Sequence, residues 1–318
     1  MDTRELTALV RVAYIPTLID QVFIATPLLA RLKSKNQIIF DSGYSIRLPY
    51  VMDKLVTGSY AFMDTFDISY KKTTDYLEFD WKGIWVNITL DNWSVALNEG
   101  VEGVANLIQS KMENSQLTMA DKLSSWFLSD PSDTKAFDGL WNGVDDGNTY
   151  ATYGKVTRTA NFSYGATGAQ SLNSYIDSAA GQITPDRLRR AIGQATVGNK
   201  MPDLIVTTQK IYDQLWARII TQWRTLGQKH ADLVAYGFTG IEFDGIAVVV
   251  DQNCPAGYIF GLNTNYIKLV INKHRNFYLE EWQRPINADA RVTQLLTQGN
   301  LIVQAPRLCF KFTSVTEN

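Results

Sequence analysis

Two runs of alternating apolar side chains, followed by one long amphipathic helix, constrain the fold of this chain more than any other feature. Apolar groups occupy every second position in residues 44–50 and again in residues 84–90, a pattern typical of β-strands with one buried face. These groups are Tyr44, Ile46, Leu48 and Tyr50 in the first run and Ile84, Val86, Ile88 and Leu90 in the second. We therefore predict one long hairpin, with the first run leading out and the second leading back.

The segment that joins the two runs, residues 54–80, alternates less regularly and contains turn-forming residues. It nevertheless carries large apolar side chains far from the base of the hairpin, namely Phe62, Phe66, Ile68, Tyr70 and Phe79. A long hairpin by itself is only marginally stable in water. We therefore expect a neighbouring copy of the chain to cover these side chains.

A single helix is predicted after this projection, over about 28 residues and roughly 40 Å at 1.5 Å per residue. Its apolar stripe has steps of three or four residues once Ser115 is included. The other members of the stripe are Val101, Val104, Ile108, Met112, Met119, Leu123 and Phe127. The sequence Ser129-Asp130-Pro131 is expected to end the helix.

Residues 1–35 are interpreted as an N-terminal arm, because Pro16 and Pro27 interrupt any long helix. Arg31, Lys33 and Lys35 would then alternate along one extended edge. That edge is either solvated or in contact with an acidic surface of a partner chain.

The second half of the chain mixes helices and strands, which indicates an α+β unit after a loop-rich stretch at residues 131–183. Thr184-Pro185 is a typical helix start. Further elements are predicted at residues 204–208 (strand), 211–223 (helix), 241–250 (hairpin around Asp244-Gly245), 258–263 (strand) and 266–272 (strand).

A second hairpin is predicted near the C-terminus. Residues 292–296 would pair with residues 301–312 across Gln298-Gly299-Asn300. Pro306 would place the returning strand at a sheet edge or a bulge.

Composition argues against several partners. The net charge is only −2 over 318 residues, so neither nucleic acid nor an anionic membrane is favoured as the main partner. No apolar run reaches the roughly 18 residues that a membrane span needs. Cys254 and Cys309 have no metal or redox spacing, and we expect both to be free, buried thiols in a reducing compartment.

No catalytic constellation is recognised, so we expect no catalytic residue, no cofactor and no metal. His230 and His274 lack a further ligand at metal-binding spacing. Asp145-Asp146-Gly147-Asn148 is interpreted as a turn, because it lacks the spaced carboxylates of a calcium loop. Arg187, Arg189 and Arg190 would allow at most loose, sequence-independent phosphate contact.

Glu280 and Glu281, beside Tyr278 and Trp282, are the best enzymatic candidates. Paired carboxylates are characteristic of sugar-cleaving sites. Adjacent residues of a strand, however, point to opposite faces, so these two would not flank one bond. A carbohydrate-active enzyme that uses Glu280 or Glu281 with a second carboxylate from elsewhere is kept as an alternative.

The order of these elements resembles that of the major capsid proteins of tailed bacteriophages, which have the Hong Kong 97-type shell fold. Local segments support the resemblance. FDGLWNGVDDG (137–147) is similar to the capsid segment that follows the spine helix, MPDLIVTT (201–208) to the axial domain, and RNFYLEEWQRP (275–285) with NLIVQAPRL (300–308) to the C-terminal return. The resemblance covers essentially the whole chain.

The resemblance implies an α+β, Hong Kong 97-like fold. Its parts would be an N-terminal arm (1–35), an extended loop (36–98), a peripheral domain with the spine helix and an inserted loop (99–183), an axial domain (184–272) and a return to the peripheral domain (273–318). The implied function is self-assembly, as pentamers and hexamers, into an icosahedral virion shell around double-stranded DNA. An encapsulin-like cellular nanocompartment is the alternative with the same fold.

The partners implied are other copies of the chain, a separate scaffolding protein, a portal and non-specific contact with packaged DNA, with no membrane. The implied location is the virion, assembled in the host cytoplasm. Some members of the family cross-link a lysine of the extended loop to a neighbour. Lysines occur in the corresponding region at Lys54, Lys71, Lys72 and Lys82, but no feature selects one, and we expect no cross-link.

Overall fold

The computed structural model describes residues 26–51, 55–70, 72–97, 101–130, 133–158, 172–178, 181–219, 224–225 and 241–317. The helices in these ranges are α1 (Pro27–Ser34), α2 (Asn92–Leu97), α3 (Val101–Leu128), α4 (Gly139–Gly143), α5 (Pro185–Ala195) and α6 (Gln209–Ile219). Short 3-10 turns cover Thr264–Tyr266 and Pro306–Leu308.

Strands in the same ranges form two large sheets and two small hairpins. They are β1 (Ile38–Asp41), β2 (Ile46–Val51), β3 (Thr74–Phe79), β4 (Lys82–Asp91), β5 (Thr152–Tyr153), β6 (Val156–Thr157), β7 (Tyr175–Asp177), β8 (Leu204–Thr207), β9 (Arg224–Thr225), β10 (Ile241–Phe243), β11 (Ile246–Val250), β12 (Ile259–Leu262), β13 (Ile267–Asn272), β14 (Tyr278–Leu279), β15 (Ala290–Val303) and β16 (Phe310–Phe312).

The five-stranded sheet is organised around β15. Strand β15 pairs antiparallel with β4 along its first part and with β13 along its last part, while β1 adds in parallel to β13 and β14 pairs with β15. Helix α3 packs on β4. The predicted stripe of α3 is confirmed from Ile108 to Phe127, where its members, Ser115 included, are buried. The side chains of Val101 and Val104 lie outside the described residues.

The seven-stranded sheet has the order β7-β16-β12-β8-β11-β10-β9, and α5 and α6 pack against it. Thr184 caps α5 as predicted, since its hydroxyl accepts a hydrogen bond from the Arg187 amide. Asp244 and Gly245 both have positive φ (53° and 82°), as the predicted type I′ turn between β10 and β11 requires. This sheet has its own apolar core, formed with Leu188, Ile192 and Leu215 among others.

The predicted first hairpin is wrong in its pairing. Strand β2 pairs with β3, with Ile46 opposite Phe79, whereas β4 pairs with β15 from Lys82↔Gly299 to Asp91↔Ala290. The alternation in both runs is confirmed, except that Tyr44 precedes β2 and is fully exposed. Alternation identifies a strand with one buried face, but it does not specify which strand lies beside it.

The predicted C-terminal hairpin is also wrong, because β15 runs straight through Gln298-Gly299-Asn300. A Cβ on Gly299 would lie 2.6 Å from the Val270 carbonyl oxygen. Glycine is therefore needed at position 299 because β13 approaches it closely, and not because the chain turns there. Pro306, expected at an edge or bulge of a returning strand, instead starts the 3-10 turn Pro306–Leu308.

The extended basic edge predicted for residues 31–35 is a further error, because Pro27 begins α1. Leu28, Leu29 and Leu32 of α1 are completely buried in the core beside the five-stranded sheet. The basic residues meet an acidic group of the same chain. Arg31 Nη2 lies 3.5 Å from Asp203 Oδ2, and Lys35 pairs with the same carboxylate and donates to Asn265 Oδ1 at 2.9 Å.

Candidate assembly interface

The base of the β2–β3 projection is held firmly by the body of the protein. Phe79, expected to be exposed, is buried and meets the Tyr153 ring edge-on at 5.1 Å between centroids. The turn between β5 and β6 lies directly on β3, where the Glu78 amide donates to the Gly154 carbonyl at 3.1 Å. Lys155 adds ion pairs to Glu78 (3.5 Å) and Asp80 (3.1 Å).

The distal part of the projection, residues 55–70, which we name the tip, makes no such contacts with the described body. Every residue of the tip is exposed, and none belongs to a helix or strand. Phe62, Ile68 and Tyr70 keep 93–94% of their surface accessible to solvent. Other large apolar side chains exposed in the tip are Leu55, Val56, Tyr60, Met63 and Phe66.

Local contacts nevertheless give part of the tip a defined shape. The Asp64 carboxylate accepts from the Ala61 amide at 2.6 Å, and the Asp64 amide donates back to the Ala61 carbonyl at 3.2 Å. The rings of Tyr60 and Phe66 lie 5.3 Å apart. A cluster of exposed apolar groups this dense is characteristic of a protein–protein contact surface.

Further apolar side chains are exposed on the body. Trp85 points outward from β4, Trp93 and Leu97 lie on α2, and Leu117 lies on the outer side of α3. Aromatic residues are enriched in the cores of protein–protein interfaces. The uncovered apolar surface therefore extends beyond the tip.

Three buried charged residues join the loop after α4 to both sheets, and sequence analysis did not identify them. Asp145 Oδ2 accepts from the amides of Gly147 (3.1 Å) and Tyr150 (2.9 Å), and its Oδ1 lies 3.7 Å from the Nζ of Lys311 on β16. Arg158 donates to the backbone carbonyls of Asn142, Leu172 and Asp145.

Burial lowers the pKa of both Lys311 and Arg158, and the nearby Asp145 carboxylate opposes that shift. The hydroxyl of Tyr153 accepts from the Val303 amide of β15 at 2.8 Å, so the same region also contacts the five-stranded sheet. With no access for a substrate, this cluster is structural. The interpretation of residues 145–148 as a turn is consistent with these bonds.

The basic cluster predicted for phosphate contact is partly neutralised within the chain. Arg187 Nη2 lies 2.8 Å from Asp177 Oδ1, and Arg189 Nε lies 3.9 Å from Asp244 Oδ2. Such pairing reduces the positive charge that these two residues offer to a polyanion.

Glu280 and Glu281 both follow β14, which ends at Leu279, and both line one groove of about 480 Å³. That their side chains point to opposite sides stays a prediction. The Glu280 Oε1 atom lies 3.3 Å from Arg275 Nη1. The other groove residues are Gln283, Arg284, Pro285, Val292, Thr293 and Gln294, so no described carboxylate faces the pair as a glycosidase would need.

Of the lysines in the projection region, Lys54 and Lys71 lie outside the described residues. Lys72 pairs with Asp75 at 3.0 Å, and Lys82 donates to the Thr134 carbonyl. Of the two histidines, His230 also lies outside the described residues, while His274 is exposed.

Within the described ranges, no group of three or more potential metal ligands comes together. Helices there are also too short or too polar to cross a membrane. Cys254 and Cys309 are both free and buried, as predicted. Burial raises the pKa of the Cys309 thiol to about 12.

No protein-family model matches the sequence, and no curated protein sequence matches it either. Solved structures, in contrast, match nearly the whole chain. A chain of the cyanophage A-1(L) capsid asymmetric unit has a TM-score of 0.71 at 13% identity, covering 92% of this chain and 94% of its own length.

Two other solved shells show the same likeness. The SrpI encapsulin of Synechococcus elongatus PCC 7942 has a TM-score of 0.59 at 11% identity and covers 89% of this chain and 86% of its own. The procapsid of satellite phage P4, a structure that includes the size determination (Sid) protein, has a TM-score of 0.52 at 10% identity, with coverages of 98% and 96%. At sequence identities of 10–13%, the structural likeness establishes the fold alone.

Proposed function

We propose that this chain, which has the Hong Kong 97-type fold of capsid proteins, is the major capsid protein of a tailed bacteriophage. It would self-assemble into an icosahedral virion shell that encloses double-stranded DNA. The observation that carries the proposal is the apolar tip at residues 55–70, uncovered at the end of a firmly anchored projection. Such a surface is stable in water only when another molecule covers it.

In this proposal the parts of the chain have distinct roles. Residues 36–98 are the extended loop, residues 99–183 and 273–318 mainly the peripheral domain, and residues 184–272 mainly the axial domain, whose outer ends meet at the five-fold and six-fold axes. Strands β7 and β16 nevertheless pair within the sheet of the axial part, and β13 pairs within the sheet of the peripheral part. Residues 1–35 include an arm that reaches a neighbour. A closed shell repeats each small interface many times, so modest contacts add up to a stable particle.

Electrostatics is compatible with a DNA container. A strongly positive inner surface would hold packaged DNA too tightly, and a strongly negative one would repel it. The net charge of −2 avoids both extremes. Contact with DNA would be non-specific, and Arg190, which makes no ion pair among the described residues, is a candidate for it.

Assembly would involve two kinds of further partner, a separate scaffolding protein and a portal, and would take place in the host cytoplasm. The P4 procapsid gives a precedent for a shell of this fold that was solved together with a second protein, Sid. The chain itself would have no enzymatic activity.

Electron microscopy of the purified chain tests the proposal directly. We expect closed icosahedral particles, either from the chain alone or after co-expression with the scaffolding protein encoded beside it. A protein that stays monomeric at high concentration under both conditions would contradict the proposal.

An encapsulin-like nanocompartment is the second candidate, favoured by the likeness to the SrpI encapsulin. Two measurements separate it from the capsid. A capsid gene should lie beside portal and terminase genes, and particles from its native source should contain nuclease-resistant DNA. A neighbouring cargo-enzyme gene and particles filled with that enzyme would favour the nanocompartment.

A further inference from the structure

Two adjacent connections carry the chain between the two large sheets. Residues 263–266 lead from β12 of the seven-stranded sheet to β13 of the five-stranded sheet, and residues 304–309 lead back from β15 to β16. The two connections are bonded to each other, because the Gln304 amide donates to the Tyr266 carbonyl at 2.7 Å. The relative position of the two sheets therefore depends on how these short segments are held.

Asp203, directly before β8, attaches the first connection to the seven-stranded sheet. Its amide donates to the Leu262 carbonyl at the end of β12, at 2.8 Å. Its carboxylate accepts from the amide and from the hydroxyl of Thr264, at 2.8 and 2.7 Å. The side chain of Asp203 is only 17% exposed, so water competes little for these hydrogen bonds.

Helix α1 supplies two cations to the same carboxylate. Arg31 Nη2 lies 3.5 Å from Asp203 Oδ2, and Lys35 pairs with that oxygen as well. Lys35 also donates to Asn265 Oδ1 in the first connection, at 2.9 Å. Isolated ion pairs at a surface contribute little to stability, but the Arg31 side chain is only 7% exposed and the contacts form one network.

Helix α1 is itself attached to the five-stranded sheet. It leads directly into β1, which pairs with β13 from Ile38↔Leu269 onward, and α1 also contacts β13. Asp203, in contrast, is attached to the seven-stranded sheet. The contact of Arg31 and Lys35 with Asp203 therefore links the two sheets across the connection between them.

The apolar core between the sheets does not select their relative position by itself. Leu204 and Leu262 of the seven-stranded sheet share one core cluster with Leu269 and Leu301 of the five-stranded sheet. Apolar burial is non-directional, and packed elements can slide past one another by small amounts. Hydrogen bonds and ion pairs depend on distance and angle, so the contacts at Asp203 can select one arrangement.

We propose that Asp203 is a positioning residue which, with Arg31 and Lys35, forms a latch that holds the two sheets in one relative arrangement. The latch thereby sets the curvature at which copies of the chain join. This effect on curvature rests on the proposed function, whereas the latch within the single chain does not. Subunits of a closed shell meet at fixed angles, so a change in the shape of the subunit changes the size of the particle that closes.

Asp203→Asn removes the ionic contacts selectively. The asparagine oxygen can still accept from the Thr264 amide, but the side chain has no charge for the two cations of α1. Hydrogen–deuterium exchange is measured on the unassembled full chain at the Gln304 amide, by mass spectrometry with fragmentation to single residues. We expect exchange at least about tenfold faster than in the wild type, because the connections open more often once these charged hydrogen bonds are lost.

Lys35→Met tests the same latch from its other side. It leaves the bonds between Asp203 and Thr264 in place and should also accelerate exchange at Gln304. The double variant should exchange at about the rate of Asp203→Asn alone, because both changes break one contact. Since Lys35 is 22% exposed, its variant tests the latch even if Asp203→Asn folds poorly.

Asp177→Asn is the matched control. The Asp177 side chain is 18% exposed and lies 2.8 Å from Arg187 Nη2, but this pair joins β7 to α5 and does not link the two sheets. The same chemical change should therefore leave exchange at Gln304 unchanged. Unchanged exchange in Asp203→Asn and Lys35→Met, or equal acceleration by Asp177→Asn, would overturn the latch whether or not particles form.

Electron microscopy of assembled particles tests the effect on curvature. We expect one predominant diameter for the wild type and Asp177→Asn, and a broader range of diameters or open sheets for Asp203→Asn and Lys35→Met. Accelerated exchange with the wild-type diameter in both latch variants would overturn the link to curvature. If the wild type forms no particles, the proposed function fails, and the exchange rates alone decide whether the latch exists.

Discussion

Asp145 Oδ1 lies 3.7 Å from Lys311 Nζ, and both side chains are almost completely excluded from water. The pair links the loop after α4 to strand β16 of the seven-stranded sheet. Removal of one partner from a buried ion pair leaves an uncompensated charge in a medium of low polarity. The pair is therefore a place where a single substitution has a large effect on stability.

Lys311→Met should lower the free energy of unfolding of the unassembled chain by about 3 kcal/mol, because it leaves Asp145 buried without its cation. Urea unfolding followed by tryptophan fluorescence measures this change. The control is Lys72→Met, which removes an exposed lysine paired with Asp75 and should cost less than about 1 kcal/mol. Similar losses of unfolding free energy in both variants would show that the burial of Lys311 does not determine the size of the effect.

Gly261→Ala should also destabilise the chain. Gly261 faces Phe310 across the β12–β16 pair, and a Cβ there would lie 2.0 Å from the ring. We expect a loss of about 1–3 kcal/mol in urea unfolding, since the ring must move within a packed core.

Gly193→Ala in α5 provides a control of opposite sign, because a Cβ at Gly193 meets nothing within 4 Å. Alanine is the better helix former by roughly 0.5–1 kcal/mol, so this variant should be slightly more stable than the wild type. Destabilisation by both substitutions would contradict the steric explanation for Gly261.

Sequence patterns predicted the structure correctly where it depends on residues that are close together in the chain. The stripe of α3, the Thr184 cap and the turn at Asp244-Gly245 all depend on contacts within a few residues, and the structure confirms them. The same reasoning could have found α1, because Thr26-Pro27 repeats the Thr-Pro start seen at Thr184. Pro27 was interpreted as a helix breaker although it occupies the first helical position, where proline is favoured.

Long-range relationships were not accessible from one sequence. Glycine is common in turns, and Gly299 was therefore assigned to one. Its small size is instead needed because the Val270 carbonyl lies against it once β13 and β15 pair. Asp145, Arg158 and Lys311 are likewise far apart in the chain. The only local sign of this cluster is that Lys311 stands between Phe310 and Phe312, a charge inside an apolar strand. The large apolar side chains predicted to need cover from outside the chain are exposed at Phe62, Phe66, Ile68 and Tyr70, whereas Phe79, at the base of the projection, is buried.

The stability of the chain should depend on pH through Asp251. Burial raises the pKa of this carboxyl in the folded state, so the folded state favours its protonated form. The stability contributed by Asp251 is therefore present below the pKa of about 3.9 that an unfolded aspartate has, and it is lost as the pH rises through the raised value. Asp251→Asn should gain stability relative to the wild type between pH 4 and 7, as measured by thermal unfolding in amine-free buffer.

Asp75→Asn should show the opposite trend. Hydrogen bonds from Lys72 and from the Tyr76 amide lower the pKa of Asp75, so its contribution is present near neutral pH and lost on acidification. The wild type should therefore lose its stability advantage over Asp75→Asn as the pH falls.

For Asp251, a difference in melting temperature between the wild type and Asp251→Asn that stays constant from pH 4 to 7 would show that Asp251 does not titrate as a buried group.

Assembly should depend on the apolar side chains of the tip. Phe62→Ser combined with Ile68→Ser removes two large groups that are 94% and 93% exposed in the single chain, so folding of the subunit should be unaffected. If a neighbour covers them, each loss weakens the contact by roughly 1.5–3 kcal/mol. The critical concentration for assembly, measured by light scattering and checked by electron microscopy, should then rise at least about 100-fold.

Ile286→Ser is the matched control, because Ile286 is equally exposed but lies in the loop before β15, remote in sequence from the tip. It removes the same kind of side chain and should leave the critical concentration unchanged within about a factor of three, the scatter expected for a substitution that changes no interface. Circular dichroism should show the same melting temperature for both variants and the wild type. Normal particles from the Phe62/Ile68 variant at wild-type concentration would mean that the tip is not the surface through which copies associate, and the trigger for assembly would have to lie on the body, at Trp85, Trp93 or Leu117.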